Sequence, residues 1–115
     1  MKRGFYFIVT DDIDKDGNSF MKPTLAEGSY EYYGKLMVHR CIDNEGKSRR
    51  WKVSHIESGA AACCNKTLSE ARSIAKKLQG FKLWDLETWD DLSNAIKLHH
   101  LGYQDEVKMI RDIIR

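Results

Sequence analysis

An α+β fold is predicted for this chain: an antiparallel sheet of about three strands, over residues 5–10, 30–42 and 49–56, followed by three helices over 68–79, 86–101 and 103–114. Three observations predict it. Arg49, Trp51, Val53 and His55 alternate with Arg50, Lys52 and Ser54, the period of a strand with one buried face. Thr67 and Glu70 stand three apart before Leu68, Ala71, Ile74, Ala75 and Leu78, which recur at helical spacing behind a capping box. Strand-like segments come first and helix-like segments afterwards, an order that segregates the layers and sets the helices against one sheet face.

Taken in order, Phe5 to Thr10 is apolar, aromatic and β-branched, which suits a central strand covered on both sides. Asp11 to Gly28 loses periodicity and contains Gly17, Asn18, Pro23 and Gly28, so it reads as a long loop with a short element near Met21. Tyr30 to Ile42 forms the second strand, with Gly34 as a bulge or bend. A turn over Asp43-Asn44-Glu45-Gly46 would close a hairpin that sets Val38 opposite Trp51 and Leu36 opposite Val53. That register sends Met37, His39, Cys41, Arg50 and Lys52 to the other face, which is mixed and basic. The small-residue run through Cys63 and Cys64 reads as a loop. Gly80 supplies the stop of the first helix. Asp85 or Thr88 caps the second, whose stripe is Trp89, Leu92, Ala95, Ile96 and His99, and Gly102 ends it. Tyr103, Val107, Ile110 and Ile114 form the apolar side of the third. Trp51, Val53, Leu36, Val38, Ile74 and Leu78 are expected to be mutually buried.

The 115 residues suit a single domain, 1–115, with one core. Hydrophobic content of 42% and charged content of 31% argue against a disordered or membrane-spanning chain. No apolar run reaches bilayer length, and Met1-Lys2-Arg3 is not followed by a signal-length apolar core, so a cytoplasmic location is expected. Cys41, Cys63 and Cys64 are an odd set with two adjacent, which fits free thiols in a reducing compartment. The net charge of +2 is divided evenly between the halves of the chain, so no basic tail points to a dominant phosphate-binding role.

Four constellations carry chemistry. Asp12, Asp14, Asp16 and Gly17 spell the first half of a calcium loop, in which alternate carboxylates converge on a hard cation. The second half departs, with Pro23 where the bidentate glutamate belongs. An acidic turn partly neutralised by Lys15 is the competing reading, and no other cofactor is expected. His39, Cys41, His55 and Cys63 or Cys64 contain zinc-type ligands without the spacing of a common zinc finger. A Cys–His nucleophile around His55 and Cys63 lacks an orienting partner, and His99 and His100 suit a helix C-terminus better than catalysis. Lys35, Arg40, Lys47, Arg49, Arg50 and Lys52 make the hairpin 35–52 the most basic region, a candidate binding surface for nucleic acid or an acidic protein.

Trp51-x-Val53-Ser54-His55-x-x-Ser58-Gly59 followed by Thr67-x-x-Glu70-Ala71 is similar to small phage and prophage accessory proteins of unassigned function. The hairpin running into a T-x-x-E-A helix also resembles the arm-binding domain of phage integrases, a likeness that implies DNA contact through the sheet. The resemblance implies a non-enzymatic accessory protein of an infected or lysogenic bacterial host. Its expected role is inhibitor or adaptor of a host or defence protein, of anti-CRISPR type. The alternatives are a DNA-binding regulator using the basic hairpin and a small thiol- or metal-dependent enzyme.

Overall fold

The computed structural model describes residues 1–41, 50–98 and 103–114. It is α+β, with a five-stranded antiparallel sheet whose strands lie in chain order: β1 (Lys2–Ile13), β2 (Ser19–Tyr33), β3 (Leu36–Arg40), β4 (Trp51–His55) and β5 (Ala61–Lys66). Helices α1 (Leu68–Leu78), α2 (Trp89–Leu98) and α3 (Gln104–Ile114) follow, with a 3₁₀ turn at Lys82–Asp85 between the first two.

The expected three strands are five for identifiable reasons. The segment read as a loop over 11–28 is the end of β1 and most of β2, reversed by a short turn. Asp14 Oδ1 accepts the amides of Asp16 and Asn18, each at 2.9 Å, and Gly17 takes φ +85°. Pro23, which argues against a strand, faces Val9. The Val9 amide points away from β2, so this rung needs no donor from proline. The single strand expected over 30–42 is split at Gly34, where φ +60° reverses the chain so that Tyr33 pairs with Leu36. Residues 61–66, read as loop, form β5; alanine and cysteine carry little strand signal of their own.

The β3–β4 hairpin exists, but its register is two residues from the expected one: Val38 faces Val53, and Leu36 faces His55. A shift of two preserves the alternation, so the same residues turn toward the helices. Leu36, Val38, Trp51, Val53, Ile74 and Leu78 are all buried in one core with Leu83, Trp84, Leu92, Val107 and Ile110. The 43–46 turn lies outside the described residues.

The opposite face is not the mixed, basic surface expected. Met37 and His39 are fully buried there, in a second core with Tyr6, Ile8 and Ala26. The cover comes from the sheet itself. Val9 lies well down the first hairpin, yet its amide donates to the Gly59 carbonyl at 3.0 Å, beyond the end of β4. The β1–β2 hairpin must therefore fold back across β3 and β4. Gly4 and Gly28 are cross-strand partners at its root, and Tyr30 and Tyr6 ring atoms occupy the space their missing side chains leave. Gly59 completes the closure at φ +72°, where an added Cβ would lie 2.9 Å from the Val9 nitrogen. β1 is thus an edge strand curled inward at Val9, and not the central strand expected. Phe5 and Phe7 are 64% exposed.

The helical expectations hold more closely. The Thr67–Glu70 capping box is formed in both directions, at 3.2 and 3.0 Å. Gly80 does not end α1 in a left-handed conformation; Gln79 is the cap, and the Phe81 amide closes the turn on Leu78. Thr88 caps α2 by accepting the Asp91 amide at 3.1 Å, while residues 86–88 lie outside the helix. Residues 99–102 lie outside the described part of the chain, including His99, His100 and Gly102. No helix among the described residues is long and apolar enough to cross a membrane.

Candidate functional site

Strand alternation places Phe5, Phe7, Val9 and Ile13 on one face of β1, and the register puts Glu27, Leu25, Pro23 and Ser19 opposite them on β2. This face is continuous with the one the helices cover, because Glu31 and Tyr33 further along β2 share its parity. The helical layer stops at Glu31, whose carboxylate takes two bonds from the Arg72 guanidinium of α1, at 2.6 and 3.3 Å. That guanidinium holds the Glu31 carboxyl below the usual carboxylate range. Beyond this ion pair no described helix covers the sheet. Phe5, Phe7, Leu25 and Ile13 are each more than half exposed, beside exposed Pro23 and half-buried Val9, with Arg3 and Glu27 at the rim. A cluster of large apolar side chains on one strand pair is unusual for an unpartnered surface, where apolar residues are normally scattered.

The described basic residues of the other candidate surface are dispersed. Lys35 lies at the Gly34 turn, bonded to Asp85 at 2.8 Å. Arg40 is at the far end of β3 with its guanidinium 5.3 Å from the centre of the Trp51 ring, on the helix-facing side. Lys52 is on the inward face, where its charge adds to the burial that suppresses His39 protonation. Arg50 is exposed and acts electrostatically on Glu70. Lys47 and Arg49 lie outside the described residues.

The acidic turn spends its carboxylates locally. Asp14 holds two turn amides, and Asp12 pairs with Lys22 at 2.6 Å, which lowers its pKa. Asp16 is exposed. Among the described residues, no three His, Cys, Asp or Glu side chains are grouped to hold a metal ion.

His39 and His55 lie on opposite sheet faces, and each pairs with a serine of the Ser54-His55-x-x-Ser58 stretch. His39 Nδ1 donates to the Arg40 carbonyl at 2.9 Å, so Nε2 accepts the Ser54 hydroxyl at 2.8 Å. His55 carries the opposite tautomer: Nε2 donates to the Trp84 carbonyl at 2.7 Å, and Nδ1 accepts from Ser58 at 2.8 Å. Burial pushes the His39 pKa down to about 4 and lowers that of His55. Burial also pushes the Cys63 thiol up, which disfavours the thiolate that nucleophilic chemistry needs. Both histidines are fully buried, with each ring nitrogen engaged, so they tie elements together rather than face a substrate. Cys41 is half-buried and Cys64 exposed, both as free thiols.

In comparison with known proteins, no family model, curated protein or solved structure matches this chain.

Proposed function

We propose that the protein acts by binding another protein, as an inhibitor or adaptor without catalytic chemistry of its own, through the bare outer face of the β1–β2 hairpin. The carrying observation is the group Phe5, Phe7, Leu25 and Ile13, all exposed on one face of a strand pair anchored by Gly59 and by the second core. Burying exposed apolar surface is the main favourable term in most protein association, at roughly 25 cal/mol per Å² before the costs of association. Arg3 and Glu27 at the rim would set orientation. A host or defence protein in the bacterial cytoplasm is the partner in this reading, with the phage-type context and anti-CRISPR-like role supported by sequence resemblance alone. Dispersal of Lys35, Arg40, Arg50 and Lys52 makes a phosphate-tracking surface the weaker alternative.

The test is affinity capture from bacterial lysate, with and without nuclease, by the wild-type chain and by a Phe7→Ser, Leu25→Ser variant. Both side chains are solvated, so thermal stability should change little. A protein retained after nuclease treatment by the wild type and lost from the variant is the expected result. Retention of nucleic acid alone, or of the same protein by both chains, would overturn the assignment. So would a concentration-dependent dimer that disappears in the variant, because the face would then belong to a second copy of the chain.

A further inference from the structure

A second, unrelated feature lies at the opposite edge of the sheet from β1, where β5 begins beneath α2 and α3. Ala60, Ala61 and Ala62 present only methyl groups on the sheet side, while Trp84 and Trp89 stand at the helical side. The result is an apolar cleft of about 430 Å³. Close-packed interiors leave voids scarcely larger than a water molecule, and an engineered cavity of roughly 150 Å³ accommodates benzene. The cleft falls within the range of roughly 300–1,000 Å³ typical of small-molecule sites.

Its back wall is fixed before any ligand arrives. The Trp84 indole N–H donates to the Leu78 carbonyl at 2.8 Å, and the Trp84 carbonyl accepts from His55. Besides these apolar walls the lining has two polar side chains on facing helices, Ser93 of α2 and Arg111 of α3. Arg111 is exposed, and no described residue forms an ion pair with it.

We propose that this cleft binds an apolar monocarboxylate, an acyl or aromatic acid whose hydrocarbon body lies among Trp84, Leu92 and Ile110 and whose carboxylate meets Arg111. The planar guanidinium matches a carboxylate in two parallel hydrogen bonds, and Ser93 supplies a further donor across the cleft. A cationic head would be repelled by Arg111. A multiply charged head would meet a single guanidinium in an otherwise apolar lining and lose more hydration than it regained. The assignment is independent of the hairpin's role in protein binding.

Decanoate, below its micellar concentration, is the probe, titrated against the full chain by calorimetry and tryptophan fluorescence. Trp84 and Trp89 line the cleft and report from it; Trp51, which shares the main core with Trp84, does not line it. Saturable one-to-one binding is expected, with decyltrimethylammonium at least tenfold weaker. Arg111→Gln, a change at an exposed position, should weaken decanoate about tenfold and remove the preference between the two heads. Ala62→Phe, verified as folded by circular dichroism, should abolish binding of both. The proposal is overturned by absence of saturable decanoate binding to the folded wild type, by equal affinity for the two heads, or by an unchanged affinity in Arg111→Gln. Full binding by folded Ala62→Phe would equally exclude this cleft.

Discussion

Lowering the pH from 7 to 5 should destabilise this fold by about 2 kcal/mol through His39 alone. The ring is fully buried, and its pKa falls from 6.5 to about 4, chiefly by burial, against the favourable bond to the Arg40 carbonyl. Because the folded value is the depressed one, the unfolded chain takes up the proton first. The contribution is complete above the unfolded pKa and is lost as pH falls from there toward about 4. At roughly 1.4 kcal/mol per pKa unit the full gap is about 3 kcal/mol, of which about 2 is gone by pH 5. Asp12, Glu31, Glu70 and Asp85 have lowered values, so their contributions are lost mainly below the ordinary carboxylate range. His55 titrates in the same sense as His39, so the measurement must be differential. Urea unfolding of the wild type and His39→Gln at pH 7 and pH 5 provides it. Glutamine cannot take up the proton, so the loss between the two pH values should shrink by about 2 kcal/mol in the variant, whatever its absolute stability. An equal loss in both chains would refute the reasoning and show that His39 is protonated without cost.

Two substitutions test the architecture. Gly59→Ala combines a φ of +72° with a Cβ 2.9 Å from the Val9 nitrogen, so it should cost about 2 kcal/mol or more and expose Tyr6 and Met37 to solvent. Wild-type stability and unchanged protection of the Val9 amide would show that the hairpin does not close on Gly59. Trp51→Ala removes a core aromatic and the ring beneath Arg40, for an expected loss of about 3 to 5 kcal/mol. An unmoved unfolding midpoint would show that Trp51 is not core.

The helical layer and the main core were legible because they rest on local signals: a capping box, helical spacing, and a two-residue alternation that survives a register shift of two. The first third of the chain was less so. An unbroken apolar run such as Phe5 to Thr10 looks the same whether a strand is covered on both sides or carries a bare apolar face. Here it is the second case, which is also why the hairpin surface was missed. A strand covered on both sides would make Phe5 and Phe7 core, and Pro23 with the separated charges of Lys22 and Glu27 obscures the partner strand. Gly34 marks a break in the strand, but a glycine suits a bulge as well as a reversal. Proximity in sequence groups the basic residues of the hairpin, but it cannot show that Lys35 and Arg40 lie at opposite ends of a short strand. The three-residue spacing of Ser58 from His55 is a local signal for that pair, whereas only the fold brings Ser54 to His39.

The closing contact between Val9 and Gly59 bears on how the molecule folds and opens. Every strand pairs with its neighbour in sequence, so the ladder can zip locally with little loop entropy to overcome. Val9–Gly59 joins segments far apart in the chain without belonging to any strand pairing. It is therefore expected to form late, with native-state fluctuations that release it while all four ladders stay paired. Hydrogen exchange would show the opening as a shared, sub-global protection for the Val9 amide and the groups beneath the hairpin, lower than that of β3 and β4. Such an opening would swing the Phe5 and Phe7 face as one piece on its Gly4–Gly28 root, so the surface proposed to meet a partner is carried on the element of the sheet most easily moved.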